Sequence, residues 1–238
     1  MELNTVSRVQ GSSNPFSGEF VIGASASVSP TSVGIVDDHP IVRDGLLNYL
    51  SAQDEIHIAG LAEDAASALS LVRSRRVDVL ILDIDLPGRS GLDLLPLLHK
   101  KAPDTAILVF TGYPVEHYAL KLLKLGAKGF LSKTCEPAEL LTAIRALGAG
   151  HRHLTSEISD LLASSLDFRA GPPHRSLTDR ELQVFLKLAR GLRTSVIAEY
   201  LALSEKSVMV YRSRIKKKLE LNSTSEFTYY ALKHQLLY

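Results

Sequence analysis

The sequence predicts an open α/β sandwich built on a five-stranded parallel sheet, followed by a separate all-α unit. Three observations predict it: short apolar runs alternate with amphipathic stretches across residues 32–150, a Ser/Gly/Pro-containing stretch breaks that pattern, and only helical spacing follows the break. With 238 residues, 45 % of them hydrophobic, the chain is long enough for two units that each bury a core.

The runs Ser32–Val36, Ile56–Leu61, Val77–Leu82, Ala106–Phe110 and Gly129–Leu131 each have the length of a buried strand. Apolar residues at helical intervals mark Ile41–Ser51, Ala65–Arg75, Leu92–Lys101, Val115–Leu125 and Pro137–Leu147. Such β-α units in series imply right-handed crossovers and helices on both faces of the sheet. Residues 1–31 read as a disordered extension, without the basic start and apolar stretch of a secretory signal. Residues 151–175, ending in Gly171-Pro172-Pro173, read as a linker with a short helix at Ile158–Leu166. In the last unit, residues 176–238, Thr178-Asp179-Arg180-Glu181 forms a capping box. Helices are expected there at Asp179–Arg190, Thr194–Leu201, Glu205–Leu219 and Ser225–Leu236.

The formal net charge of +1 names no partner by itself, but its distribution does. Ser32 to Gly150 holds 12 Lys/Arg against 15 Asp/Glu, a net of −3, and Ser176 to Tyr238 holds 11 against 6, a net of +5. A basic C-terminal unit suits a polyanion. Cys135 is the sole cysteine and makes no internal disulfide, and no apolar run is long enough to span a bilayer, so a cytoplasmic protein without a membrane partner is expected.

In an open parallel sheet, ligands bind beyond the carboxyl ends of the strands. Asp37 and Asp38 follow the first run, Asp83 the third, Thr111 the fourth and Lys133 the fifth. Carboxylates on neighbouring strand ends repel one another unless a cation joins them, and an all-oxygen cluster suits Mg²⁺. Lys133 supplies a compact positive charge and Thr111 a hydroxyl, the groups needed around a transferring phosphoryl group. Asp83 ends the most hydrophobic run and is the best candidate for a nucleophile that forms an aspartyl phosphate. Lys133-Thr134 lacks the glycine of a nucleotide-binding loop, since Ser132 precedes it.

Val36-Asp37-Asp38-His39-Pro40, Leu82-Asp83-Ile84-Asp85-Leu86-Pro87-Gly88, Thr111-Gly112 and Gly129-Phe130-Leu131-Ser132-Lys133 resemble the receiver domain of two-component response regulators, over residues 32–150. The resemblance implies a flavodoxin-like, doubly wound fold with Asp83 as phosphoacceptor. It implies Mg²⁺ held by Asp38, Asp83 and the backbone carbonyl of Asp85, with Asp37 assisting through water. It makes Thr111 the switch residue and Phe130 the switch aromatic. A sensor histidine kinase or phosphotransfer protein is the implied donor. Asp85 adds a carboxylate two residues after the acceptor, where its charge would repel a phosphoryl group or hold a water near it.

In the basic unit, Val196, Ile197 and Leu201 share one face of a short helix, and Ser204 caps the next. A short turn between two such helices is a helix-turn-helix. Val208, Tyr211, Ile215 and Leu219 recur at helical spacing toward a core, leaving Met209, Arg212, Ser213 and Lys216 outward, with Arg214, Lys217 and Lys218 extending the basic surface. Leu177 to Leu237 is similar to the LuxR-type helix-turn-helix, carried by Leu177-Thr178-Asp179-Arg180-Glu181, Ala189-Arg190-Gly191, Ile197-Ala198, Ser207-Val208, Tyr211-Arg212 and Lys218-Leu219. That resemblance implies four helices. The third reads double-stranded DNA through Met209, Val210, Arg212, Ser213, Arg214, Lys216 and Lys217; the fourth, with Phe227, Tyr230 and Ala231, pairs two protomers. The two resemblances together point to the NarL/FixJ-like group, a DNA-binding homodimer rather than an enzyme, with RNA polymerase among its partners.

Two other readings stay open. Leu80-Ile81-Leu82-Asp83-Ile84-Asp85 also resembles the D-x-D motif of haloacid-dehalogenase-type phosphatases, although that motif ends a first strand and here it ends the third, followed by Pro87. A regulator that binds without phosphate is the other. His39, His151 and His153 lack a metal-ligand spacing and are assigned surface roles; Cys135 is assigned to helix-start packing.

Overall fold

The computed structural model describes residues 29–89, 91–113, 119–155, 158–159 and 172–237. The expected N-terminal extension, apart from its last residues, and most of the linker with its short helix lie outside them. Strands β1 (Thr31–Val36), β2 (Ile56–Ala62), β3 (Val79–Leu82), β4 (Ala106–Thr111) and β5 (Gly129–Ser132) pair in parallel, in the order β2-β1-β3-β4-β5. The chain thus winds outward in both directions from β1 and β3, and the crevice between their carboxyl ends is the topological switch point. Val36 pairs with Leu82, which sets the residues that follow, Asp37 and Asp83, side by side.

Helices α1 (Pro40–Ser51) and α5 (Pro137–Gly148) cover one face, packing Leu46, Leu50, Leu140 and Ile144 on Ile35, Ile81 and Leu108. The other face carries α2 (Ala65–Ser74), α3 (Gly91–Lys101) and α4 (Ala119–Lys124) over Val36, Leu80, Leu82 and Val109. Strands buried on both faces explain why the apolar runs are continuous rather than alternating. After α5 the chain returns beside β5, where His153 donates its N–H to Lys128 and bridges Gly129. The linker therefore begins as part of the sheet edge rather than as a free tether.

A 3₁₀ turn (Pro173–Ser176) leads into α6 (Asp179–Ala189), α7 (Thr194–Tyr200), α8 (Glu205–Leu219) and α9 (Thr224–Lys233). The Thr178–Glu181 capping box opens α6, and Ser204 caps α8 by accepting from the Ser207 N–H. Phe185, Val208, Ile215, Leu219 and Phe227 bury the domain's centre. The fourth helix was expected to reach Leu236, and it stops at Lys233. Gln235 turns left-handed at φ 53, and the Leu236 N–H folds back onto the Ala231 carbonyl. Leu236 is buried by this closing turn and not by helical register.

The helical domain sits on the α2–α4 face, so that one apolar cluster runs through both domains. Ile84 and Leu92 of the first domain line a narrow gap with Leu182 and Leu186 of α6.

Candidate functional site: the carboxylate pocket and the basic helix

The pocket lies at the switch point. Asp83 follows β3, is 1 % exposed, and donates its N–H to the Val36 carbonyl at 2.9 Å. Asp37 is equally buried beside it, and Arg43 fixes the Asp37 carbonyl at 2.7 Å. Lys133, carried in by β5, places Nζ 2.7 Å from Asp37 Oδ2 and 2.7 Å from Asp83 Oδ2. Its backbone N–H donates to the Thr111 carbonyl at 2.8 Å, which sets the fourth and fifth strand ends in register. Thr111 is fully buried, its hydroxyl accepting from the Tyr113 N–H, and Phe130 is buried in the core on the same side as the helical domain.

Burial pushes the Asp83 carboxyl above the usual aspartate value, against the opposing pull of Lys133. For Lys133 the balance runs the other way: burial alone would lower the ammonium, but Asp83 and Asp37 outweigh it and hold it above the usual lysine value. Helix α3 starts so close to this strand end that a Cβ at Gly91 would meet the Asp83 carbonyl oxygen at 2.4 Å; only glycine fits there.

Asp37, Asp38, His39 and Asp83 offer ligand atoms that all lie within 4.8 Å of one another. Three carboxylates against one ammonium, Lys133, leave the charge of one divalent cation uncompensated. Asp38 Oδ1 is buried without a hydrogen bond, although His39 Nδ1 stands 2.8 Å away. The three carboxylates of this set, with such an orphaned lone pair, fit Mg²⁺. His39 stays half-exposed and turned toward Asp37 and Asp38, in keeping with a surface role. Burial raises the Cys135 thiol, with Glu139 adding to the effect, so the thiolate is disfavoured and packing remains the reading of that residue.

Asp85 departs from what its charge alone suggests. Its carboxylate neither faces the pocket unpaired nor waits for water: Lys187 Nζ donates to Oδ1 at 2.9 Å, Tyr113 donates to Oδ2 at 3.0 Å, and Arg190 stands 3.5 Å from Oδ2. Tyr200, at the end of α7, donates its hydroxyl to the Asp85 carbonyl at 2.9 Å and reaches Asp38 Oδ2 at 3.3 Å. Sequence reasoning missed Tyr113, Lys187, Arg190 and Tyr200, because nothing local marks them. The only signals were the surplus carboxylate and the opposite charges of the two domains.

On α8, Met209 is 61 % exposed, and Val210, Ser213, Arg214 and Lys217 are exposed with it. Arg212 and Lys216 are partly buried, and Lys216 Nζ donates to the Asn222 carbonyl at 2.6 Å. Lys218, counted in the sequence as basic surface, is tied inward to Glu181 Oε2 at 2.6 Å and to the Ser176 carbonyl at 3.1 Å. A wide depression at the opposite rim of the sheet is lined by His57, Arg76, Asp78 and Arg145. Arg76 is paired there with Asp78 and Arg145 with Glu55, and the depression carries none of the pocket's chemistry. Among the described residues, no helix is long and apolar enough to cross a membrane.

Residues 33–145 match the response regulator receiver domain family, and residues 175–231 match the bacterial regulatory proteins, luxR family. Response regulator UvrY of Escherichia coli (strain K12) is 33 % identical over 207 residues, covering 86 % of this chain and 95 % of the relative. Oxygen regulatory protein NreC of Staphylococcus carnosus is 34 % identical over 211 residues, covering 85 % and 97 %. Among solved structures, the RcsB response regulator of Salmonella typhimurium aligns with a TM-score of 0.68 at 25 % identity, covering 86 % of this chain and 98 % of that one. RcsB of Salmonella enterica serovar Typhimurium bound to promoter P1flhDC, with the phosphomimetic BeF3⁻, aligns at 0.63 and 26 %, covering 85 % and 98 %. This chain belongs to the two-component response regulators of the NarL/FixJ group, with a receiver domain followed by a LuxR-type helix-turn-helix DNA-binding domain.

Proposed function

We propose that Asp83 is the phosphoacceptor and that its modification controls sequence-specific DNA binding and transcription. The observation that carries this reading is a buried carboxylate at the switch point, held beside two further carboxylates and a lysine. An Asp83 carboxylate oxygen attacks the phosphorus of a phosphohistidine on a sensor kinase or phosphotransfer protein, or of a small phosphodonor. The bond from phosphorus to the donor breaks, the leaving group departs with its electron pair and takes up a proton, and an acyl phosphate forms on Asp83. Lys133 and the Thr111 hydroxyl hold the phosphoryl oxygens, and Phe130 follows Thr111. Asp38, Asp83 and the Asp85 carbonyl would hold Mg²⁺, with Asp37 assisting. The ion when bound neutralises charge on the phosphoryl oxygens. Self-phosphorylation from small donors and hydrolysis of the acyl phosphate are the whole of its chemistry.

The receiver spans 32–150, the linker 151–175 and the DNA-binding domain 176–238. Met209, Val210, Arg212, Ser213, Arg214, Lys216 and Lys217 meet the major groove or its phosphates, supported by their exposed helix face and by the RcsB–promoter structure. Two protomers pair through α9, where Tyr229 and Leu232 are exposed, and bind opposed half-sites as a homodimer. The setting is the cytoplasm, with RNA polymerase as a partner at the promoter.

The test is intact-mass measurement after treatment with a phosphodonor and Mg²⁺, with DNA binding measured on sites selected from random sequence. Wild type gains one phosphoryl group and binds more tightly, and Asp83→Asn does neither. An unmodified wild-type chain, or equal DNA binding by both, overturns the reading.

A further inference from the structure

The seam between the two domains lies directly on the pocket. Gly88 donates its N–H to the Tyr200 carbonyl at 2.7 Å, pinning the end of α7 to the loop after Asp85. The Tyr200 hydroxyl then sits between Asp38 Oδ2 and the Asp85 carbonyl, two of the three groups assigned above to the cation. A divalent ion held by these two groups would need oxygen lone pairs at the place where the Tyr200 hydroxyl now stands. Behind it, Lys187 stacks 3.5 Å from the centre of the Tyr200 ring while holding Asp85 Oδ1. Arg190 donates to the Tyr113 hydroxyl at 2.9 Å, on the other oxygen of the same carboxylate.

We infer that the docked helical domain and the divalent cation compete for the Asp85 carbonyl and the Asp38 carboxylate, so that Tyr200 is a latch that cation binding displaces, with Lys187 and Arg190 on Asp85 setting how firmly it closes. The inference rests on the reading of the pocket as a metal-assisted phosphoacceptor site. Linkage makes the competition reciprocal: the latch weakens cation binding by the factor by which the cation weakens the latch. Asp85, the surplus carboxylate of the receiver, then has its use as the seat of the latch. The reading face of α8 is not covered by this docking, so opening acts by freeing the helical domain to pair, not by exposing Arg214 or Lys217.

The experiment uses the full chain with Mn²⁺ as the probe, followed by loss of the free-ion paramagnetic resonance signal. Wild type is compared with Tyr200→Phe, Lys187→Met and Asp38→Asn, each checked for helicity by circular dichroism. Tyr200→Phe is expected to bind roughly three- to tenfold more tightly, the factor that an ordinary hydrogen bond represents. Lys187→Met shifts affinity the same way through a second contact, its ion pair with Asp85, and Asp38→Asn binds weakly. In solution scattering, Mg²⁺ expands wild type, a readout that needs no variant. Equal affinity in wild type, Tyr200→Phe and Lys187→Met, with Asp38→Asn weaker, overturns the latch and leaves the metal site standing. Wild type that keeps its compact scattering at saturating Mg²⁺ does the same. Absence of binding in every chain overturns both.

Discussion

The helical domain carries two cationic faces, and they are used differently. On the α6–α7 side Lys187 is 4 % exposed and seated on Asp85, with Arg190 beside it. On α8, Arg214 and Lys217 stand in solvent. Both sets contribute to the net +5 of the C-terminal region. Only the second is available to phosphate, however, while the first is matched by the acidic receiver, whose region carries a net of −3. Charge asymmetry in a sequence therefore counts two kinds of anion at once. One is nucleic acid, met at a solvated face where counterion release supplies the affinity. The other is a carboxylate of the same chain, where pairing works because both partners are partly withdrawn from water.

The sharpest way to break this contrast is to neutralise each face in turn. Arg214→Ala with Lys217→Ala should weaken DNA binding roughly ten- to a hundredfold at physiological salt and lower the salt slope by about two, as for two lost phosphate contacts. Domain docking should be unchanged. Lys187→Met should instead leave the salt slope unchanged and weaken docking, since it leaves the Asp85 carboxylate with Arg190 and Tyr113 alone. Docking weakens by about 1–2 kcal/mol, the low end for a disrupted pair because Asp85 keeps those partners and some water. Calorimetry would register this as separation of one unfolding transition into two. A salt slope that fell in Lys187→Met as well would erase the distinction between the faces.

Sequence periodicity carried most of the architecture, and its failures have identifiable causes. The third strand starts at Val79 rather than Val77: at its threshold the Ser32 N–H is taken by the Asp78 side chain, while the Asp78 backbone still donates to the Ser32 carbonyl and accepts from the Ala106 N–H. Helices α7, α8 and α9 are followed by left-handed residues that are not glycine, Ala202, Glu220 and Gln235, so the usual stop signal is absent and the fourth helix ends at Lys233, short of the Leu236 that its spacing predicts. The pocket was legible because the strand ends that build it all follow apolar runs. Its cover was not. Tyr200 lies 115 residues beyond Asp85 and Lys187 lies 102 beyond, in helices whose own spacing is satisfied by their domain core. Such pairings rest on docking geometry, for which one-dimensional periodicity has no symbol.

The smallest expected effect concerns Lys218, a cation that belongs to neither face. It holds Glu181, whose carboxylate also accepts from the Thr178 N–H at 2.7 Å at the start of α6. Burial would raise the Glu181 carboxyl, but Lys218 and the Thr178 contacts outweigh it and hold it below the usual glutamate value. A carboxyl depressed in the folded state stabilises it above the unfolded value, and that contribution disappears as pH falls through the folded one. Lys218→Met should therefore flatten the acid limb of helical-domain stability, its deficit against wild type closing as pH falls, measured by denaturant titration of the helical signal at a series of pH values. At neutral pH the loss should stay below about 1 kcal/mol, because Lys218 is itself 36 % exposed and water already screens the pair. If Lys218 instead met phosphate, its loss would lower the salt slope of DNA binding by about one, as for Lys217. An unchanged slope together with a flattened acid limb assigns it to the fold.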